Sequence, residues 1–136
     1  MYQRLNFAIC VCATSIFLSL VSVQTTFSAR PQEAAAVVVK MTAEHAFIPK
    51  AITVKVGQPV EWVNAEEGGI HQVTTDPDVA ADPGDVSIPD GAEPFDSKLI
   101  KSGKSFRHQF SMPGVYKYAC PPHENAGMIG QVTVTK

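Results

Sequence analysis

From Val37 onward the chain is a succession of short stretches in which apolar and polar positions alternate, each closed by a turn. Residues 37–41 open as a β-rich stretch. In residues 51–56, Ile52, Val54 and Val56 fall on one face and Thr53 and Lys55 on the other, the period-two pattern of a half-buried strand. Gly57-Gln58-Pro59 turns the chain into a further stretch, Pro59–Asn64, which carries the only tryptophan, Trp62. After the polar turn Glu66-Glu67-Gly68-Gly69, residues 71–75 read as a short strand. Regularity lapses over a Pro-, Gly- and Asp-rich loop, residues 76–96, and resumes at 97–100 and 104–110, where Phe106, His108 and Phe110 share a face. Met112-Pro113-Gly114 leads into residues 115–120, with Tyr116, Tyr118 and Cys120 on one face. Ile129–Thr135 closes the pattern, with Val132 and Val134 on one side. No helix longer than a turn or two is predicted. Seven to eight short strands at this spacing predict an all-β chain folded as a two-sheet antiparallel sandwich.

The first thirty residues follow another rule. Arg4 is the only charge before Arg30, and residues 7–23 form an apolar run broken only by Thr14, Ser15, Ser19 and Ser22. A basic start, an apolar run and a polar, small-residue exit predict a secretory signal peptide over residues 1–29. A permanent anchor is the alternative, since the run approaches the roughly 20 residues that span a bilayer. Its weak apolarity and extreme N-terminal position favour the signal. Residues 30–36 read as a flexible lead-in and 37–136 as the folded domain. The expected destination is the periplasm, with the thylakoid lumen or the extracellular space as alternatives, and no membrane insertion is expected after cleavage.

Composition narrows the function. With 45% hydrophobic and 18% charged residues, the chain can bury one core. A net charge of −2 offers no basic footprint for nucleic acid. No Gly-rich phosphate loop is present, which disfavours a nucleotide-binding enzyme. Removal of residues 1–29 would take Cys10 and Cys12 with it and leave Cys120 as the single thiol. A lone thiol in an exported domain cannot form an internal disulfide. It is then a metal ligand, a nucleophile, half of an intermolecular bridge or an inert buried residue.

The segment Cys120-Pro-Pro-His123-Glu-Asn-Ala-Gly-Met128 places three metal-capable side chains within nine residues, between two predicted strands. His71 stands on the other side of the long loop. Thiolate, thioether and imidazole together favour copper, and two His with one Cys in a plane plus a weak axial Met make a blue-copper electron-transfer site. Cysteine binds metal as thiolate, which would account for the unpaired Cys120.

Residues 118–135 resemble the ligand loop and last strand of the cupredoxins, most of all plastocyanin and pseudoazurin. The family pattern is Cys, two residues, His, four residues, Met, then a Gly-x-Val-x-Val strand. Here it reads Cys120, His123, Met128, Gly130, Val132 and Val134. The remaining family ligand lies well upstream at a strand start, and His71 fits it. The resemblance implies a cupredoxin-like Greek-key β-sandwich with one type-1 copper on His71, Cys120, His123 and Met128. It also implies that His123 shows its ring edge at an apolar patch and serves as the electron port. Two departures stand out. Gln72 replaces the usual Asn after the first His, which leaves the backbone donor in place and puts the side-chain tie in doubt. Pro121 replaces a more usual polar residue.

Beyond this motif, His45 is expected at the surface, and His108 is expected as a hydrogen-bonded core or rim histidine. Charge is segregated, with ten acidic residues and no Lys or Arg from Glu61 to Asp96. Such a face either steers a basic redox partner or simply keeps the loop solvated. The resulting expectation is a monomeric electron-transport protein, not an enzyme. It would exchange single electrons with redox proteins such as a cytochrome or a copper or haem oxidoreductase, docking transiently near His123. The alternatives are a copper delivery or storage module with the same ligands, and a Cys–His enzyme with Cys120 as nucleophile.

Overall fold

The computed structural model describes residues 34–136, so the predicted signal segment 1–29 and most of the predicted lead-in 30–36 lie outside the described residues. Alternation of side chains converts directly into strands. Nine are found among the described residues: β1 (Val37–Thr42), β2 (Ala46–Ile48), β3 (Ala51–Lys55), β4 (Pro59–Asn64), β5 (Ile70–His71), β6 (Ile100–Lys101), β7 (Ser105–Gln109), β8 (Gly114–Ala119) and β9 (Ile129–Thr135). They form a four-stranded sheet in the order β2-β1-β4-β7, a three-stranded sheet β3-β9-β8 and a small ribbon β5-β6. Among the described residues no helix is long and apolar enough to cross a membrane.

The all-β sandwich is as expected, but its strands are not all antiparallel. β4–β7 and β8–β9 run antiparallel, whereas β1–β4 and β3–β9 run parallel. Alternation says which face a side chain takes and nothing about which neighbour its strand finds. The fully buried Val39 sits opposite Trp62, and Val54 opposite Val134. Between the sheets Trp62 meets Tyr118 edge-on, centroids 5.4 Å apart at 83°, and Phe47 meets Tyr118 at 4.7 Å and 73°. Edge-to-face contact of this kind adds to the area the rings bury.

The predicted strand over residues 71–75 is reduced to the β5 pair and a few single bridges. Thr74 bridges both Asp96 and Ala119, with Thr74 N–H donating to Ala119 O at 3.1 Å and Ala119 N–H returning a bond to Thr74 O at 3.0 Å. These bonds stitch the segment after His71 to the end of β8, next to Cys120. The long loop is also tied down. Ser87 and Lys117 exchange backbone bonds of 3.0 and 2.8 Å, and a 3-10 turn at Pro83–Asp85 is capped by Asp82 Oδ1, which accepts from Gly84 N–H at 2.8 Å.

Tyr118 lies directly over Gly130 on the neighbouring strand, and a Cβ there would collide with its ring and hydroxyl. Gly130→Ala should therefore overpack the core and cost about 1–3 kcal/mol. Urea unfolding of the copper-free protein measures this. An unchanged midpoint would mean that Tyr118 can move aside.

Candidate metal centre

The site is assembled by backbone bonds before any side chain is considered. β8 delivers Cys120 at its end, and Pro121 and Pro122 start a 3-10 segment, Pro121–Ala126, with their φ angles already near the required value. His123 N–H donates to Cys120 O at 2.8 Å. Gly127 ends the segment at φ +82, a left-handed conformation that glycine adopts without a Cβ penalty. Met128 N–H then donates to His123 O at 3.3 Å, and Cys120 N–H to Met128 O at 3.0 Å. The loop closes on itself, bringing residues 120, 123 and 128 back together. The fourth residue, His71, comes from the β5-β6 ribbon.

The donor atoms converge. Cys120 Sγ lies 3.7 Å from His71 Nδ1 and 3.5 Å from His123 Nδ1, and the ligand atoms of His71, Cys120 and His123 all lie within 4.8 Å of one another. Metal–nitrogen and metal–sulfur bonds of about 2.0 and 2.3 Å, meeting at a trigonal angle, span about 3.7 Å. The residues therefore fit a copper ion, and the donor set, thiolate with imidazoles beside a thioether residue, is soft as copper prefers. His71, Cys120 and Met128 are fully buried, whereas His123 is half-buried. Burial pushes the Cys120 thiol up, and burial also lowers both imidazoles, His71 further by the nearby His123. Neutral imidazoles are ready to bind, and metal uptake must displace the thiol proton, so affinity falls as pH falls.

The surroundings of the site were only partly foreseen. The backbone donor at Gln72 survives, its N–H reaching Cys120 Sγ at 3.3 Å. Its side chain is not idle, because Gln72 Nε2 donates to Asp96 Oδ1 at 2.6 Å and so ties the His71 segment to the end of the long loop. Glu66 Oε2 lies 2.9 Å from His71 Nε2, at ion-pair distance though not aligned for a regular hydrogen bond. A carboxylate behind a ligating imidazole orients the ring and raises its basicity. Glu124, next to His123, is buried and accepts from Ala81 N–H at 2.9 Å and Asp82 N–H at 2.7 Å. His45, expected at the surface, is instead half-buried and stacked on His123. His108 sits at the rim of the core, stacked on Phe95 at 4.4 Å, away from the metal-capable cluster. The roles of Glu124 and His45 depend on contacts between distant segments, whereas Glu66 reaches His71 from five residues upstream, and none of the three carries a recognisable motif.

Comparison with known proteins points one way. The family model for copper binding proteins, plastocyanin/azurin family, matches residues 34–135. A plastocyanin from Scenedesmus fuscus is 35% identical over 92 residues, covering 65% of this chain and 85% of that protein. Among solved structures, a pseudoazurin from Sinorhizobium superposes with a TM-score of 0.56 and 29% identity over 74% of each chain. A copper-containing nitrite reductase from Thermus scotoductus superposes with a TM-score of 0.61 and 30% identity, covering 80% of this chain and 24% of that one.

Proposed function

Because the chain belongs to the plastocyanin/azurin family of copper-binding proteins, we propose that it is an exported one-electron carrier whose type-1 copper is held by His71, Cys120, His123 and Met128. The observation that carries this reading is the convergence of Cys120 Sγ with the Nδ1 atoms of His71 and His123 inside a buried pocket. Copper bound there supplies a one-electron Cu(II)/Cu(I) couple.

The chain's own residues do the rest. Cys120 supplies the thiolate, and the Gln72 N–H aimed at its sulfur spreads part of that charge into the backbone. Pro121 and Pro122 stiffen the loop, and the bond from Cys120 N–H to Met128 O holds its two ends together. A loop fixed in this way changes little when the charge at its centre changes by one, which keeps electron transfer fast. Met128 would supply a weaker thioether donor. His123, alone of the four in being only half-buried, is the route to the surface, and partners with their own redox centre dock around it. The segment 1–29 directs export.

The enzyme alternative meets two obstacles. Cys120 has no exposed surface, and burial pushes its thiol up, the reverse of an activated nucleophile.

A visible absorption titration of the mature chain with Cu(II) tests the reading. An intense thiolate-to-copper band that saturates at one copper per chain and bleaches with ascorbate is expected. Colourless binding would transfer the protein to the delivery class. Within the same experiment, Met128→Gln should keep the blue band while shifting the reduction potential measured by voltammetry, since a weak thioether donor would tune the couple without making the main bonds to the metal. Loss of copper from that variant would give Met128 a larger role.

A further inference from the structure

His45 lies face to face on His123, ring centroids 4.0 Å apart and planes within 8° of parallel. It belongs to no motif and stands in the turn between β1 and β2. Its backbone is at φ +52, in the left-handed region that residues with a side chain occupy only where the surroundings hold them. Its N–H donates to Thr42 O at 3.0 Å, which closes the turn in this conformation. An unfavourable backbone thus presents an imidazole to the one metal-site ring that reaches the surface.

The need for such a contact follows from the position of His123. The torsion that spins an imidazole about its stem is broad and soft, and His123 stands on a half-exposed loop. On the inner side its ring meets His71 edge-on, centroids 4.9 Å apart at 63°, and its Nδ1 lies 3.5 Å from Cys120 Sγ. The broad face of the ring is covered by His45.

We propose that His45 is a positioning residue for His123: the stacked ring keeps His123 from turning out of the site, so that Nδ1 stays aimed at the Cys120 sulfur with or without copper. This inference rests on the reading of His123 as a copper ligand. The electron port is then a pair of stacked rings, one from the metal loop and one from a turn distant in sequence. Stacking alone accounts for the effect, so a phenyl ring should serve in place of the imidazole.

Two readouts test this in the native protein, His45→Ala and His45→Phe. In copper-free protein, proton NMR should show ring-to-ring Overhauser contacts between His45 and His123, and His45→Ala should broaden and shift the His123 ring signals. In copper-loaded protein, His45→Ala should lose Cu(I) to a chelator about two- to tenfold faster, the range that an aromatic pair is worth. His45→Phe should restore both readouts. Absence of the ring contacts in native protein would overturn the proposal even if both variants failed to fold. So would a His45→Ala protein that matches the native one, or a His45→Phe protein that behaves like His45→Ala. Native protein that turns blue beside an unaltered His45→Ala variant sinks this inference and leaves the carrier reading standing. Native protein that takes up no copper removes both.

Discussion

Replacement of Cys120 by Ser is expected to abolish the visible band of the copper-loaded protein and to weaken copper binding beyond the roughly 10–100-fold that loss of an outer-shell partner costs. The sulfur is the common neighbour of both imidazoles, 3.7 Å from His71 Nδ1 and 3.5 Å from His123 Nδ1. It also accepts the Gln72 N–H. A hydroxyl in its place is shorter-reaching, holds its proton at neutral pH and has no low-energy charge-transfer transition to copper. The change is small in volume and lies at a fully buried position, so the fold should persist and the loss should be chemical. Spectroscopy and a competition titration check this. An unchanged spectrum would remove Cys120 from the centre and with it the whole assignment.

The second large effect is expected on stability. Glu124 is buried, and its carboxylate holds the backbone of the long loop through Ala81 N–H at 2.9 Å and Asp82 N–H at 2.7 Å. Hydrogen bonds to a charged acceptor are worth about 1.5–3 kcal/mol each. Ala81 and Asp82 are exposed, so water recovers part of the loss when the carboxylate is removed. Glu124→Ala should therefore cost about 2–4 kcal/mol, and Glu124→Gln, which keeps one acceptor oxygen, should cost less. Urea unfolding followed by tryptophan fluorescence is the measurement, with Trp62 as the reporter. A loss below about 1 kcal/mol would mean that the 76–85 segment is held by its other bonds.

What was legible beforehand divides along a physical line. The four proposed ligands were readable because three of them share one short loop, where spacing alone determines whether side chains can meet. The strands were readable wherever alternation ran for five residues or more, as in Ala51–Lys55 and Ile129–Thr135. β2 was missed because three residues, Ala46–Ile48, are too few to show a period. The parallel partners of β1 and β3 were missed because alternation carries no address. His45 and Glu124 were missed for the same reason, since each acts on a segment far away along the chain. Gln72 is the instructive middle case. Its departure from the family pattern was visible, but not that its amide would find Asp96, 24 residues on.

One consequence of the loop's self-closure concerns the unfolded chain. Cys120, His123 and Met128 stay within nine residues of one another even when every strand has melted, although the Ala119–Ile129 pairing that closes the loop is then lost. His71, 49 residues from Cys120, is the donor that only the native fold can add. Copper should therefore keep some affinity for denatured protein, and the ion should raise the melting temperature by less than its grip on the native state would imply.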